Sequence, residues 1–216
     1  MNRYLEMTLH AYGERLTGNE PTPGSASAAA LAGSHAAALG TAAAVLTYAD
    51  PIWEAIDPAL QEQFREAHEE LVVLQGALAR MTAADIGAAA GLQAALALPK
   101  GTAEERAERK TAVEAAAARL LGTPLKTAEH CLSVLDYLQK IATCGERGSL
   151  PEIGTASALA FAGLDGSLLN VRCNLAILPD ERQRAEFVDA AERMWERGNE
   201  MREETMAALF IRLSAE

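Results

Sequence analysis

Residues 25–48, SASAAALAGSHAAALGTAAAVLTY, decide the fold: 24 positions without one formally charged side chain. Wound as a helix, they place small residues almost all the way round the cylinder, which leaves no face for water and lets neighbouring helices approach closely. Such a helix belongs at the centre of a bundle or at a subunit interface. The run is also long enough to cross a bilayer. Its alanines are close to neutral for insertion and His35 lies within it, so the expectation is a buried helix and no membrane partner. A second stretch of the same kind, Glu152 to Leu178, is interrupted by Asp165, Asn170, Arg172 and Asn174.

The flanking segments read as helices that cover these two. Tyr4 to Leu16 places Leu5, Leu9, Tyr12 and Leu16 on one face of a short amphipathic helix. Pro21, Pro23 and Gly24 then impose a loop. Asp57-Pro58 has the cap and first-turn pattern of a long helix with the stripe Leu60, Phe64, Ala67, Leu71, Leu74, Leu78 and Met81. The same register runs on through Asp85, Ala88, Leu92 and Leu96, with a kink expected near Gly87 or Gly91, and stops at Pro99. Thr102 with Glu105 forms a capping-box pattern. Gly122 is expected to close that helix, and Thr123-Pro124 to open another that runs to about Cys144. Gly145 to Pro151 reads as a loop. After Pro179-Asp180, Phe187, Ala191, Met194, Met201 and Leu209 mark the apolar side of an outer helix.

No strand-like alternation, internal repeat or linker interrupts this pattern. The expectation is one all-α domain over residues 1–216, a helical bundle with two buried, small-residue-rich inner helices. Two such helices offer more interface than one chain covers, which points to a homodimer. Composition agrees: 216 residues with roughly a fifth alanine and 5% aromatics favour packed helices. The 19 Lys and Arg against 30 Asp and Glu give a formal charge of −11, which argues against nucleic acid as a partner. Cys131, Cys144 and Cys173 are odd in number and form no CxxC, so neither a disulfide framework nor structural zinc is expected, and a cytoplasmic location fits. Cys131 and Cys173 read as small core residues, and the four scattered histidines as packing or surface residues.

None of the strong hydrolase, metalloprotease or nucleotide motifs occurs. Three local features carry chemistry. Pro21-Thr22-Pro23-Gly24-Ser25-Ala26-Ser27 opens a buried helix, whose free amide hydrogens hold an electron-rich ligand group unless the segment is a plain loop with a serine cap. Asp85 falls on an apolar stripe; if it is buried, desolvation raises its pKa and suits it to proton transfer near neutrality. Asn170 and Asn174 share one face of the second inner helix, as ligand amides or as partners for neighbouring backbone.

These features, taken with Ser27-Ala28-Ala29-Ala30, Leu46-Thr47, Leu98-Pro99-Lys100, Pro124-Leu125, Gly145 and Asn170-Val171-Arg172-Cys173-Asn174, resemble in order the cyclodeaminase/cyclohydrolase family. That family includes the cyclodeaminase domain of formiminotransferase-cyclodeaminase and stand-alone methenyltetrahydrofolate cyclohydrolases. The resemblance implies an all-α dimer that uses a tetrahydrofolate derivative as substrate, without a metal or other cofactor. It would either hydrolyse methenyltetrahydrofolate to formyltetrahydrofolate or cyclise formiminotetrahydrofolate with loss of ammonia. By that resemblance Asp85 moves the proton and Lys100 assists it. Pro23, Gly24, Ser25 and Ser27 line the ligand, and Asn170 and Asn174 hydrogen-bond the pterin or the one-carbon group. Glu152, standing where the family has an aspartate, is by the same resemblance a substrate-binding residue.

The sequence departs from the family's Pro-Gly-Gly-Gly-Ser run at Ser25 and Ala26, and has Tyr48-Ala49-Asp50-Pro51 where cations for a glutamate tail would stand. Those departures leave two alternatives: a homologue that only binds folate or serves assembly, or a cyclase or hydrolase of another amidine.

Overall fold

The computed structural model describes residues 6–18, 23–178 and 180–214. It contains six α-helices: α1 (Leu9–Leu16), α2 (Ser25–Ala49), α3 (Pro58–Leu96), α4 (Ala103–Cys144), α5 (Leu150–Asn174) and α6 (Glu181–Ser214), with short 3-10 turns after α2, α4 and α5. No strand occurs among the described residues, and the all-α bundle expected from the sequence is the observed architecture. Helices α2, α3, α4 and α5 form the core, each packed on its neighbours, and α6 lies along α4 and α5.

The inner helices run antiparallel. The start of α2 meets the end of α5 through Ser25 and Asn170, and Thr47, near its other end, accepts a hydrogen bond from Glu146 just before α5. Close approach is what their small residues permit. A Cβ on Gly163 would lie 2.8 Å from the Ala29 carbonyl of α2 and 2.8 Å from Cys131 Sγ. Cys131 itself is fully buried, and burial pushes its thiol up to about 12.

Caps read from the sequence take the expected geometry. Asp57 accepts from the Ala59 amide at 2.8 Å. Thr102 and Glu105 form the full capping box, at 3.1 and 2.9 Å.

Several expectations are corrected. The first helix begins at Leu9, where Thr8 caps it through the Ala11 amide, and only Tyr12 of its apolar face is buried; Leu9 is 74% exposed. Tyr4 and Leu5, the loop positions 19–22 and Pro179 lie outside the described residues. Helix α3 has no break at Gly87 or Gly91, and its buried register moves to Thr82 and Ile86 after Leu78, leaving Leu92 half-buried and Leu96 exposed. The second inner helix spans 150–174, ending in a 3-10 turn before Leu178. Cys173 is exposed, not a core residue.

Gly122 closes nothing, because α4 is one helix with Pro124 inside it. Proline removes one amide donor, that of the bond to the carbonyl four residues back. Here that carbonyl belongs to Leu120, and the Asn174 side-chain amide donates to it at 3.5 Å. Burial of Leu121, Pro124 and Thr127 within the bundle outweighs the local stop signal. Helix α2 is also not covered all round: His35, Ala42, Val45, Leu46 and Ala49 form an exposed stripe.

Helices α2 and α3 are long and apolar enough to cross a membrane by length and composition. Both supply core residues here, among them Ala36, Ala37, Phe64 and Leu71, each with no exposed surface.

Candidate active site

Four helices meet where α2 begins. Pro23 is buried, and Gly24 caps α2 in an extended conformation with no side chain on the first-turn amides. Backbone N–H groups and the positive end of the helix dipole therefore face this region without a competing oxygen from the cap residue. Ser25 donates its hydroxyl hydrogen to Asn170 Oδ1 at 3.0 Å, and Asn170 Nδ2 donates to the Gly166 carbonyl of its own helix at 2.7 Å. Its amide is thus held rigidly, with its second N–H and second lone pair still to be used.

Ser27 is fully buried and donates to the Gly24 carbonyl at 2.9 Å. The Tyr12 hydroxyl lies 2.9 Å from Ser27 Oγ. Serine has one hydroxyl hydrogen, and it is committed to Gly24, so Tyr12 is the donor in this pair.

Asp85 joins this group from α3. It is half-buried, and burial raises its carboxyl above the ordinary carboxylate range. Its charge is close enough to contribute to the upward shift of the Tyr12 phenol, whose main cause is the ring's own burial. The preceding turn of α3, Met81 and Ala84, lines a cleft with Ala118 and Gly122 of α4.

The residues expected from the sequence divide into a cluster and two outliers. Pro23, Gly24, Ser25, Ser27 and Asn170 come together, Asp85 joins them beside Tyr12, and Asn174 stands one turn on with its amide directed to backbone. Lys100 lies beyond the end of α3, past a helical rise from Asp85 to Leu96 of roughly 16 Å. There it lines a cleft of about 480 Å³ with Arg106, Arg109, Lys110 and Val113. Glu152 sits in the first turn of α5, ~27 Å of helical rise from Asn170, at the opposite end of the antiparallel pair. Its Oε2 is buried without a hydrogen-bond partner.

Tyr12 is the site residue that sequence reading missed. The available signal was a hydroxyl on an otherwise aliphatic stripe. A separate cleft of about 250 Å³ between α5 and α6 is lined by Asp165, Arg172, Glu192 and Trp195. Its polar groups pair with one another, Trp195 with Asp165 at 3.1 Å and Arg172 with Glu192 at 2.9 Å. Among the described residues, no three His, Cys, Asp or Glu side chains converge as a metal site.

The arrangement offers a helix N-terminus, a fixed amide, and a carboxyl of raised pKa whose charge acts on the Tyr12 phenol at that helix start. Such a set can move a proton at a carbon bonded to nitrogen and receive the oxygen that forms there.

Comparison with known proteins adds four findings. The family model for formiminotransferase-cyclodeaminase matches residues 8–193. Methenyltetrahydrofolate cyclohydrolase of Methylorubrum extorquens is 30% identical over 173 residues, covering 80% of this chain and 81% of its own. Formimidoyltransferase-cyclodeaminase of Rattus norvegicus is 29% identical over 180 residues, but this chain spans only 32% of that protein's length. In fold, the chain resembles the crystal structure of formiminotetrahydrofolate cyclodeaminase from Thermotoga maritima, with TM-score 0.80 over 94% of this chain and 96% of the other, at 18% identity.

Proposed function

The chain belongs to the formiminotransferase-cyclodeaminase family, and we propose that it is a one-carbon folate enzyme that hydrolyses the methenyl bridge of tetrahydrofolate, with Asp85 as general base and then acid. The cyclohydrolase relative supports this reading, because the likeness extends over most of both chains. The observation that carries it is the half-buried Asp85 carboxyl of raised pKa, whose charge acts on the Tyr12 phenol that is hydrogen-bonded to Ser27 in the first turn of α2.

The methenyl carbon lies between two nitrogens in a cationic amidinium. Water adds to that carbon, and Asp85 takes the proton that water gives up. One carbon–nitrogen bond of the tetrahedral intermediate then breaks, its nitrogen is protonated, and the formyl group remains on the other nitrogen. A carboxyl titrating nearer neutrality serves both steps better than an ordinary one. The first-turn amides of α2 suit the oxygen that gains charge in the intermediate. In this reading Asn170 orients the pterin through the N–H and lone pair left by its bonds to Ser25 and Gly166. No step calls for a metal or redox cofactor.

Absorbance tests this directly, since the methenyl compound loses its near-ultraviolet band on opening. The protein should bleach that band well above the buffer rate, and a rate equal to buffer would contradict the proposal. Cyclodeamination is the second reading, favoured by the 29% identity to the rat enzyme. Release of ammonia from the formimino compound, with no bleaching of the methenyl one, would select it.

The working unit we propose is a homodimer. The exposed α2 stripe, with Val45 53% and Leu46 45% exposed, lies between α3, where Val72 is 47% exposed, and α5. This apolar face of small residues fits a second copy packed across a twofold axis.

A further inference from the structure

We propose that Ser25 is a positioning residue: it acts on the ligand through Asn170, holding that side-chain amide in a single pose at the start of α2, where the pair reads a ligand edge that carries a hydrogen-bond donor beside an acceptor. The identity of the ligand rests on the functional reading above. The pose itself is testable without any turnover.

Which groups can donate fixes the pose. A carbonyl only accepts, so the end of the Asn170 side chain that lies 2.7 Å from the Gly166 carbonyl must be Nδ2. Oδ1 then faces Ser25 at 3.0 Å, and of those two oxygens only the serine hydroxyl has a hydrogen to give. The two partners remove different freedoms. Gly166, one turn back on α5, decides which way round the amide lies. Ser25, 145 residues away in sequence and on the other inner helix, ties the amide oxygen to α2. The amide is thereby fixed relative to the first-turn N–H groups of α2 as well as to its own helix.

The fold does not depend on this bond. Ser25 is exposed and Asn170 half-buried, so water would take up both groups if they parted, and such a bond adds little to stability. The inner helices are already joined next to it by the close packing of Gly163 and Gly166 on Ala29.

The unused valences set the ligand chemistry. With its hydrogen given to Asn170, Ser25 Oγ can only accept from a ligand, while Asn170 keeps one N–H and one lone pair. The pair therefore suits an edge with an N–H beside a carbonyl, as in a lactam such as the pyrimidinone ring of a pterin. A carboxylate, which brings acceptors alone, leaves the lone pairs of both residues unmatched.

Nitrogen-15 relaxation of the side-chain amides tests the pose. Asn170, assigned by the signal lost in Asn170→Ala, should be ordered in the parent, more mobile in Ser25→Ala, and ordered again in Ser25→Thr, which keeps the hydroxyl. Equal order in the parent and Ser25→Ala would overturn the proposal whatever the protein catalyses. In turnover, KM for methenyltetrahydrofolate should rise roughly fivefold in Ser25→Ala, the effect of one lost hydrogen bond, with kcat little changed and KM restored in Ser25→Thr. In an Asn170→Ala background, Ser25→Ala should change KM no further. A fivefold change in that background would show Ser25 binding the ligand by itself, and a Ser25→Ala protein that melts well below the parent would make the bond a structural one; either result overturns the proposal. A parent that fails to open the methenyl bridge would instead contradict the functional reading, and the relaxation result would then decide the pose alone.

Discussion

Asp85 bears the account at the scale of single residues, and its stability effect has a definite sign. Its carboxyl titrates higher in the folded protein than in the unfolded chain, because burial disfavours the charge. Protonation therefore favours folding: the contribution is complete below the unfolded value and is lost as pH rises through the raised one. Asp85→Asn removes that loss. Thermal melting should show the variant more stable than the parent near pH 7, with the gap closing toward about pH 4, near the ordinary aspartate value. A gap that widens on acidification would mean that the carboxyl is stabilised as an anion. Asp85 was legible in the sequence because a single acid fell on an apolar stripe. Tyr12 was not, since a tyrosine on such a stripe looks like any core residue until Ser27 is seen opposite its hydroxyl. Lys100 and Glu152 came from family likeness. The separation of Glu152 from Asn170 was readable, since the helix expected from Glu152 to Leu178 carries both and so holds them at opposite ends.

Pro124 and Asn174 show what decides a helix at the scale of elements. Gly122-Thr123-Pro124 carries every local sign of a break, yet α4 continues through it, with the freed Leu120 carbonyl taken up by a side chain from α5. The two residues should be coupled. Asn174→Ala should cost about 1 kcal/mol by leaving a carbonyl without a donor. In a Pro124→Ala background, where the backbone amide returns to Leu120, the same change should cost close to nothing. Urea denaturation of the four proteins in the cycle measures this, and equal costs in both backgrounds would show that the amide does not serve the proline gap. Gly163 makes a simpler case. Its added methyl would meet the Ala29 backbone carbonyl at 2.8 Å, so Gly163→Ala should destabilise by about 1–3 kcal/mol by the same method. The small-residue character of both inner helices was readable from the sequence. The side of α2 left open was not, because a helix that is apolar all round gives no cue to which face its own chain covers.

Charge and surface set the behaviour of the whole molecule. A net charge of −11 keeps separate chains apart, so association needs a specific apolar face. The exposed stripe through Val45 and Leu46 is the face proposed for it. In light scattering the parent should run as the proposed dimer and Leu46→Asp as a monomer with helical content kept, and a monomeric parent or an unchanged mass in the variant would contradict this interface. The bundle architecture was legible because charge-free and charged stretches alternate along the chain with helical periodicity and no strand pattern competes. The proposed function rests on one proton-transfer group in that frame, Asp85. The most direct measurement is the rate at which folded Asp85→Asn bleaches the methenyl chromophore, set against the parent protein. The account predicts a loss of roughly a hundredfold or more, the usual worth of a general acid–base group. A variant that opens the methenyl bridge as fast as the parent would contradict it.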